Sequence, residues 1–503
     1  MAANLTKLAG QVAIYGISSV VARLLNYLLV PYYTRIMDPA EYGILTDIYS
    51  LIPFALVVLT MGMESGYFRF AAKATDAAER KRVYGTTWGA VLLAATAFLA
   101  LTFTFDNELA GLLGYNSLNV GYQAPQEPLL YVWLMGLIVF FDVAGAIPFA
   151  RLRQEGRAVR YVVLRTLSVV INIGLCLWFY AVESPTVEGW YSEVMSPTSP
   201  IWALVANLIA SAITFVLLLF SCRGVAPKIE WKRLRTIFLY SLPLLVSGIA
   251  GTANEFIDRQ MIKFLMPAEE SLAALGVYGA VVKIGVVMLL FTQMYRMAAE
   301  PFFLSEFKKD EFKNSNAEVM KYFVIVSLAI FLFITLFSDL FALIVGPEFR
   351  EGMYILPMIL VGNALSGVVL NLSFWYKQTG ATKYAIWITG TGLIFTVVFN
   401  ILLVPTLGYA GAALARVMCE MAMVVVSYRL GQKHYPIPYN LKVIFSYVAI
   451  TAVLWGISLL TAQLAPVLKY LINGAMLVLF LIYAVRREKI NIGGLVRSVL
   501  RRK

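Results

Sequence analysis

The chain predicts an all-α polytopic membrane protein with about fourteen transmembrane helices, and three observations carry that expectation. Of its 503 residues, 60% are hydrophobic and only 14% charged, with a mean hydropathy of +0.76. Soluble domains carry about a quarter charged residues, so most of this chain belongs in lipid. Apolar windows close to the roughly 20 residues needed to cross a hydrocarbon core recur along the whole length. Basic connections alternate with acidic or neutral ones, as they do when basic loops resist translocation. The net charge of +12 points toward nucleic acid until its residues are placed: they recur between spans instead of gathering in one patch with aromatics, and no nucleic-acid partner is expected. Cys176, Cys222 and Cys419 have no ligand spacing and the single histidine, His434, sits in a polar connection. A zinc site, a histidine-based triad and enzymatic chemistry in general are therefore not expected, and no cofactor is called for.

Taken in order, the windows near 9–34, 43–66, 85–105, 129–150, 161–182 and 201–221 make a first group of six spans of about 20 residues or more. The first follows Lys7 as a signal-peptide core would, but it is long, lacks a small-residue cleavage pattern and is followed by further spans, so it reads as an uncleaved helix. A second six lies near 237–257, 274–297, 321–345, 353–375, 384–405 and 410–429, and a final pair near 442–463 and 468–485. These groups divide the chain into an N-terminal lobe (1–222), a C-terminal lobe (223–440), a terminal helix pair (441–485) and a basic tail (486–503). Pro53, Pro148, Pro243 and Pro357 fall inside spans and are expected to kink them.

With the N-terminus inside, even-numbered spans return to basic clusters: Arg69, Lys73, Arg80, Lys81 and Arg82; then Arg151, Arg153, Arg157 and Arg160; then Arg223, Lys228, Lys232, Arg233 and Arg235. The opposite connections carry Asp106, Glu108 and Glu127, then Glu183, Glu188 and Glu193, without lysine or arginine. Both termini are expected in the cytoplasm. All connections are short, which leaves no room for a folded extramembrane domain. The tail mixes Ile490, Ile492, Leu495 and Val499 with Arg497, Arg501 and Arg502; an amphipathic helix on anionic lipid and a solvated tail are both open to it.

The sequence also echoes itself. Pro31-Tyr-Tyr-Thr-Arg-Ile-Met-Asp-Pro-Ala-Glu-Tyr-Gly43, continuing through Asp47 and Tyr49, is answered six spans later by Asp258-Arg-Gln-Met-Ile-Lys-Phe-Leu-Met-Pro-Ala-Glu-Glu270, continuing through Gly276, Tyr278 and Gly279. Each places a basic helix end before Met, Pro-Ala-Glu, Gly and Tyr, which points to two pseudo-symmetric six-helix lobes. Such duplication is typical of alternating-access transporters.

The segment from Ala13 through Leu51, with Ala22-Arg-Leu-Leu-Asn26 and Pro31 to Gly43, resembles the start of bacterial polysaccharide-biosynthesis flippases. These are the Wzx-type O-antigen and exopolysaccharide transporters of the multidrug/oligosaccharidyl-lipid/polysaccharide exporter superfamily. Ser241-Leu-Pro243, Asp258-Arg259, Gly276 to Tyr278 and Gly408-Tyr-Ala-Gly-Ala-Ala413 extend the resemblance over essentially the whole chain. It implies two lobes facing each other across a lumen, a location in the bacterial inner membrane, and translocation of an undecaprenyl-diphosphate-linked sugar. It implies as partners the lipid-linked oligosaccharide and membrane lipids, with a polysaccharide polymerase and glycosyltransferases as further ones. MurJ-type lipid II flippases share that fold and its fourteen helices, and a MATE-like multidrug cation antiporter is a further alternative. Coupling to H+, to Na+ or to membrane potential stays open. The resemblance also matches Arg23 to the family's lumenal basic residue.

A diphosphate in a medium of low dielectric needs cations, arginine as a planar multidentate donor and lysine as a point charge. A guanidinium at the bilayer centre costs roughly 2.5–3.5 kcal/mol on insertion scales, so Arg23, within the first span, is expected to face a cavity or a partner. Ser19, Asn26 and Tyr27 share its helical face. Lys283 lies inside the eighth span with no acid three or four residues away, and with Arg23 it is the expected diphosphate-binding pair, one from each lobe. Gating or coupling candidates are Arg416 with Glu420 one turn on, Arg296 near the end of its span with Glu300 following, and Arg259 with Glu255 and Asp258. Asp142, after Phe140 and Phe141 with no base nearby, is expected either to pair with Arg23 or to titrate or bind a coupling cation. Asp47 and Glu64, close to the ends of the second span, are expected to be hydrated.

Overall fold

The computed structural model describes residues 25, 27–115, 127–181, 198–221, 224–306, 312–381 and 383–489. Its elements are helices, with no strand among the described residues. In order they are α1 (Val30–Ile36), α2 (Pro39–Thr60), α3 (Met63–Lys73), α4 (Ala77–Thr104), α5 (Asp106–Leu112), α6 (Glu127–Gln154), α7 (Ala158–Ala181), α8 (Ile201–Ser221), α9 (Trp231–Leu265) and α10 (Ala268–Ile284). Then follow α11 (Val286–Glu306), α12 (Phe312–Leu336), α13 (Ser338–Ala342), α14 (Leu356–Leu372), α15 (Phe374–Gln378), α16 (Lys383–Leu407), α17 (Tyr409–His434), α18 (Leu441–Leu460) and α19 (Pro466–Arg487). Among the described residues, twelve helical stretches, Pro39–Lys73 and Pro347–Lys377 each counted as one, are long and apolar enough to cross a membrane, thirteen if Ala268–Ile284 and Val286–Met297 form one span. The expected first span lies largely outside the described residues.

Local chemistry explains where these helices begin and break. The Asp-Pro-Ala-Glu of the internal echo is an N-terminal capping box: Asp38 Oδ1 accepts from the Glu41 backbone N–H at 2.8 Å, Glu41 Oε2 accepts from the Asp38 N–H at 3.1 Å, and Pro39 needs no partner. Asp76 caps α4 in the same way through the Glu79 N–H. The second span runs on as Pro39–Lys73, interrupted where Met61 and Gly62 turn left-handed (φ 52° and 68°). A side chain at Gly62 would also meet the Ser241 carbonyl at 2.9 Å. The expected eighth span is two helices parted at Gly285, whose carbonyl accepts from Asn363 Nδ2 at 2.9 Å. Pro53, Pro148 and Pro243 are interior to helices as expected. Pro357 instead lies in the first turn of α14, where a proline costs nothing, because a 3-10 segment, Pro347–Ile355, precedes it.

Packing divides the chain into two compact units. The first comprises Met1–Lys283, Val345–Glu351 and Thr389–Met418; the second comprises Ile284–Ile344, Gly352–Ile388 and Cys419–Lys503. In the first, α6 is the most enclosed helix, packed on α4, α8, α2, α3 and α5. In the second, α12 packs on α18, α14, α19 and α11 around Met320, Phe323, Val324 and Leu372.

Within the first unit the two echo segments lie against each other. α2 and α10 meet backbone to backbone: a Cβ at Gly43 would lie 1.9 Å from the Leu272 carbonyl oxygen, and one at Gly276 would lie 1.9 Å from that of Pro39. Only glycine permits this approach. One turn on, Gly279 meets Thr46. The segment Val345–Glu351 joins the same end, with the Gly346 N–H donating to Thr34 Oγ1 at 3.0 Å and Phe349 edge-on to Tyr42.

Candidate functional site

Two polar clusters sit in the first unit. The first is built on Asp47, a residue whose sequence position suggested hydration and which is instead fully buried. In α2, protein donors enclose it in place of water. Tyr115 Oη donates to its Oδ2 at 2.7 Å, Gln260 Nε2 to its Oδ1 at 2.6 Å, and Lys263 forms an ion pair with it. Gln260 also reaches Ser50 Oγ at 2.9 Å, and the Lys263 ammonium lies 4.3 Å from the Tyr115 ring centroid. Burial, with the Asp47 carboxylate beside it, pushes the Tyr115 phenol well above its ordinary range, so it remains a donor. Glu64, also expected to be hydrated, is part-exposed and meets Arg153 at 2.6 Å.

The second cluster gathers four of the sequence candidates. Asp258 is buried and accepts at both oxygens: Oδ1 from the Arg259 backbone N–H and from Arg259 Nη1, each at 2.9 Å, and Oδ2 from Tyr278 Oη at 2.5 Å. Arg416 Nη1 lies 3.8 Å from the same Oδ2. Lys283, five residues beyond Tyr278 on α10, has its ammonium 5.2 Å from the Tyr27 ring centroid and is within reach of the Arg259 charge. The Lys283 side chain is exposed. No carboxylate among the described residues lies within ion-pair distance of it. Three cations, Arg259, Arg416 and Lys283, therefore gather near the buried Asp258 carboxylate, an arrangement that suits an anion.

The remaining candidates are placed as follows. Arg23 lies outside the described residues, and so does its expected pairing with Asp142. Asp142 accepts from Ser211 Oγ at 2.8 Å and feels the charge of Arg165, a basic residue of α7 that spacing arguments passed over. Glu255 meets Arg259 through its carbonyl oxygen, which accepts from Arg259 Nη1 at 2.6 Å, and its side chain is exposed. That follows from helix geometry, since the guanidinium folds back onto the carbonyl four residues earlier. Arg416 has Asp258 as an acid from elsewhere in the first unit, and Glu420 belongs to the second unit. Arg296, expected near the end of its span, is in the middle of α11, because that helix runs on to Glu306; it is exposed, and its charge reaches Tyr376. No group of three or more potential metal-ligating side chains occurs among the described residues.

Asp47, Lys263 and Gln260 were the functional-looking residues that spacing arguments missed. Lys263 fell outside the expected seventh span because α9 continues to Leu265. All three nevertheless belong to the echo segments, and the echo was the signal that could have found them.

Comparisons with known proteins agree with this architecture. The structure resembles the lipid II flippase MurJ in an inward closed conformation, with a TM-score of 0.71 at 13% identity over 95% of this chain and all of that one. It also resembles a multidrug resistance MATE family transporter of the MOP superfamily in its inward-facing conformation, with a TM-score of 0.62 at 17% identity over 82% of this chain and 97% of that one. At these identities the likeness concerns the fold. In sequence, the chain is 24% identical over 262 residues to the succinoglycan biosynthesis transport protein ExoT of Rhizobium meliloti (strain 1021). That match covers 51% of this chain and 45% of ExoT, so the chain spans less than half the length of this curated relative. The family model described as polysaccharide biosynthesis protein matches residues 8–308, more than half of the sequence, and the chain belongs to the polysaccharide biosynthesis protein family.

Proposed function

We propose that this protein is a flippase carrying an undecaprenyl-diphosphate-linked oligosaccharide across the bacterial inner membrane by alternating access, for cell-surface polysaccharide synthesis. The observation that carries this reading is the gathering of Lys283, Arg259 and Arg416 near the buried carboxylate of Asp258. A diphosphate crossing a medium of low dielectric loses its hydration, and fixed cations replace it. The arginines supply forked donors, Lys283 supplies a point charge, and Arg23 is assigned to the same anion from the first span. The lipid tail stays in the bilayer, and no covalent step is required. Asp142 is the acid assigned to coupling, whether the driving force is H+, Na+ or membrane potential. Both termini are assigned to the cytoplasm, where the cargo would be handed over by glycosyltransferases, with a polymerase receiving it on the other face.

In cells relying on this protein alone, Lys283→Gln and Arg23→Gln variants should accumulate normally and leave lipid-linked glycan in the inner leaflet. Wild-type export by both stable variants would overturn the assignment. The fold shared with MurJ makes lipid II the second cargo to test, by asking whether the protein restores peptidoglycan synthesis or surface polysaccharide. The fold shared with MATE transporters makes cation efflux the third reading. The gathering of Arg259, Arg416 and Lys283 argues against it, and cationic dye efflux measured beside glycan export separates the two.

A further inference from the structure

We infer that the buried pair of Asp47 and Lys263 is the latch of the exit gate: it ties α2 to α9 while the cargo's way out is shut, and parting it opens that way. This rests on the flippase reading of the chain and on its orientation in the membrane.

The pair joins the two echo segments. Asp47 continues the first segment in α2, and Lys263 and Gln260 belong to the second, at the end of α9. Among the described residues it is the only ion pair between the Pro39–Lys73 span and α9. Farther along that span the contacts with α9 carry no such pair: Gly62 and Gly66 lie against Ser241, and the Arg69 guanidinium lies 4.1 Å from the Tyr240 ring centroid. Tyr115, which donates to Asp47, lies in the connection between α4 and α6, which carries Asp106 and Glu108 and neither lysine nor arginine. Basic clusters mark the cytoplasmic side, so this acidic connection and the pair it contacts lie toward the opposite one.

A permanent joint would gain from apolar side chains instead. Inside a protein, the attraction of two charges does little more than offset their dehydration, and well-packed apolar residues of similar volume hold as well or better. The pair differs in what happens on separation. Once α2 and α9 part and water enters, both charges recover their hydration, whereas apolar faces would meet water at full cost. The closed form is nevertheless fixed in register: Lys263 against Asp47, with Gln260 Nε2 reaching both Asp47 and Ser50, satisfies both charges in one alignment. Such a contact specifies one alignment and releases it without a deep penalty, as a gate that opens for each cargo requires.

The test uses the full chain in lipid nanodiscs, with the native cysteines replaced by serine and spin labels on Glu108→Cys and Glu269→Cys. Both positions are exposed, the first on α5 and the second in the first turn of α10. Double electron–electron resonance reads the distance between them. With the pair intact, one short distance is expected. Lys263→Met leaves the Asp47 carboxylate dehydrated in the closed form but hydrated in the parted one, and should move the balance toward the parted form about a hundredfold or more, adding a longer distance. Asp47→Asn, which orphans Lys263, should add the same distance. Asp47→Asn/Lys263→Met has no charge to rehydrate, so it should keep the short distance and, in cells relying on it, export less glycan than wild type. The short distance alone in both folded single variants overturns the latch. So does a longer distance or wild-type export in the double variant, which covers the case in which the singles do not fold. Failure of wild type to export lipid-linked glycan, with the single variants showing the longer distance, overturns the flippase reading and leaves the latch standing.

Discussion

Replacing Lys263 with methionine tests the buried pair most directly. The Lys263 side chain is 5% exposed and that of Asp47 is fully buried, so solvent screening takes little from their interaction. Lys263→Met preserves much of the aliphatic volume but leaves the Asp47 carboxylate with neutral donors only, from Tyr115 and Gln260. Removing one member of a buried ion pair costs about 3–5 kcal/mol, because the other charge remains desolvated. In a unit as large as the first, each kcal/mol lowers Tm by roughly 2 °C, which predicts a loss of roughly 6–10 °C. The double variant Asp47→Asn/Lys263→Met contains no orphaned charge and should regain at least half of that loss. Melting curves of fluorescently tagged protein, followed by size-exclusion in detergent, measure both. A single variant within about 1 °C of wild type, or a double variant no better than the sum of its singles, would refute the reasoning.

Two further substitutions probe the frame that holds this pair. Gly276→Ala drives a methyl into the Pro39 carbonyl and should cost about 3 kcal/mol or more, whereas Gly474→Ala, with nothing within 4 Å, should leave Tm unchanged or raise it slightly; equal melting temperatures would contradict the close contact. Asp38→Ala removes one half of the capping box at the start of α2 and should cost about 1 kcal/mol, with Asp38→Asn retaining most of it. The same melting assay reads it, and an Asp38→Asn variant as unstable as Asp38→Ala would argue against capping as the cause.

The membrane architecture was legible because crossing a bilayer demands long apolar windows, and the sequence can meet that demand only openly. Helix ends were less so. α9 was expected to stop near residue 257 and continues to Leu265, because Asp258, Arg259 and Lys263 look like the end of a span until partners elsewhere neutralise them. Local spacing explains the same pattern in the site. It found Asp258 beside Arg259, yet it missed Asp47 and Lys263, separated by 216 residues. It also tied Glu255 to Arg259 through the wrong group, since residue identity advertises a carboxylate and says nothing of a carbonyl. The break at Gly285 was hidden for a related reason: the apolar run continues through it, and Asn363, the residue that satisfies the freed carbonyl, lies far along the chain.

The contact of α2 with α10 has a consequence for how those helices can separate. Interlocked side chains must change rotamer, one after another, before two helices part, and must find their places again on return. At Gly43 and Gly276 the nearest atoms across the contact are main chain. Parting them forfeits dispersion energy but needs no rotameric search, so the faces can detach and rejoin as rigid plates. A joint of this kind is cheap to cycle, and its registry is restored by shape alone.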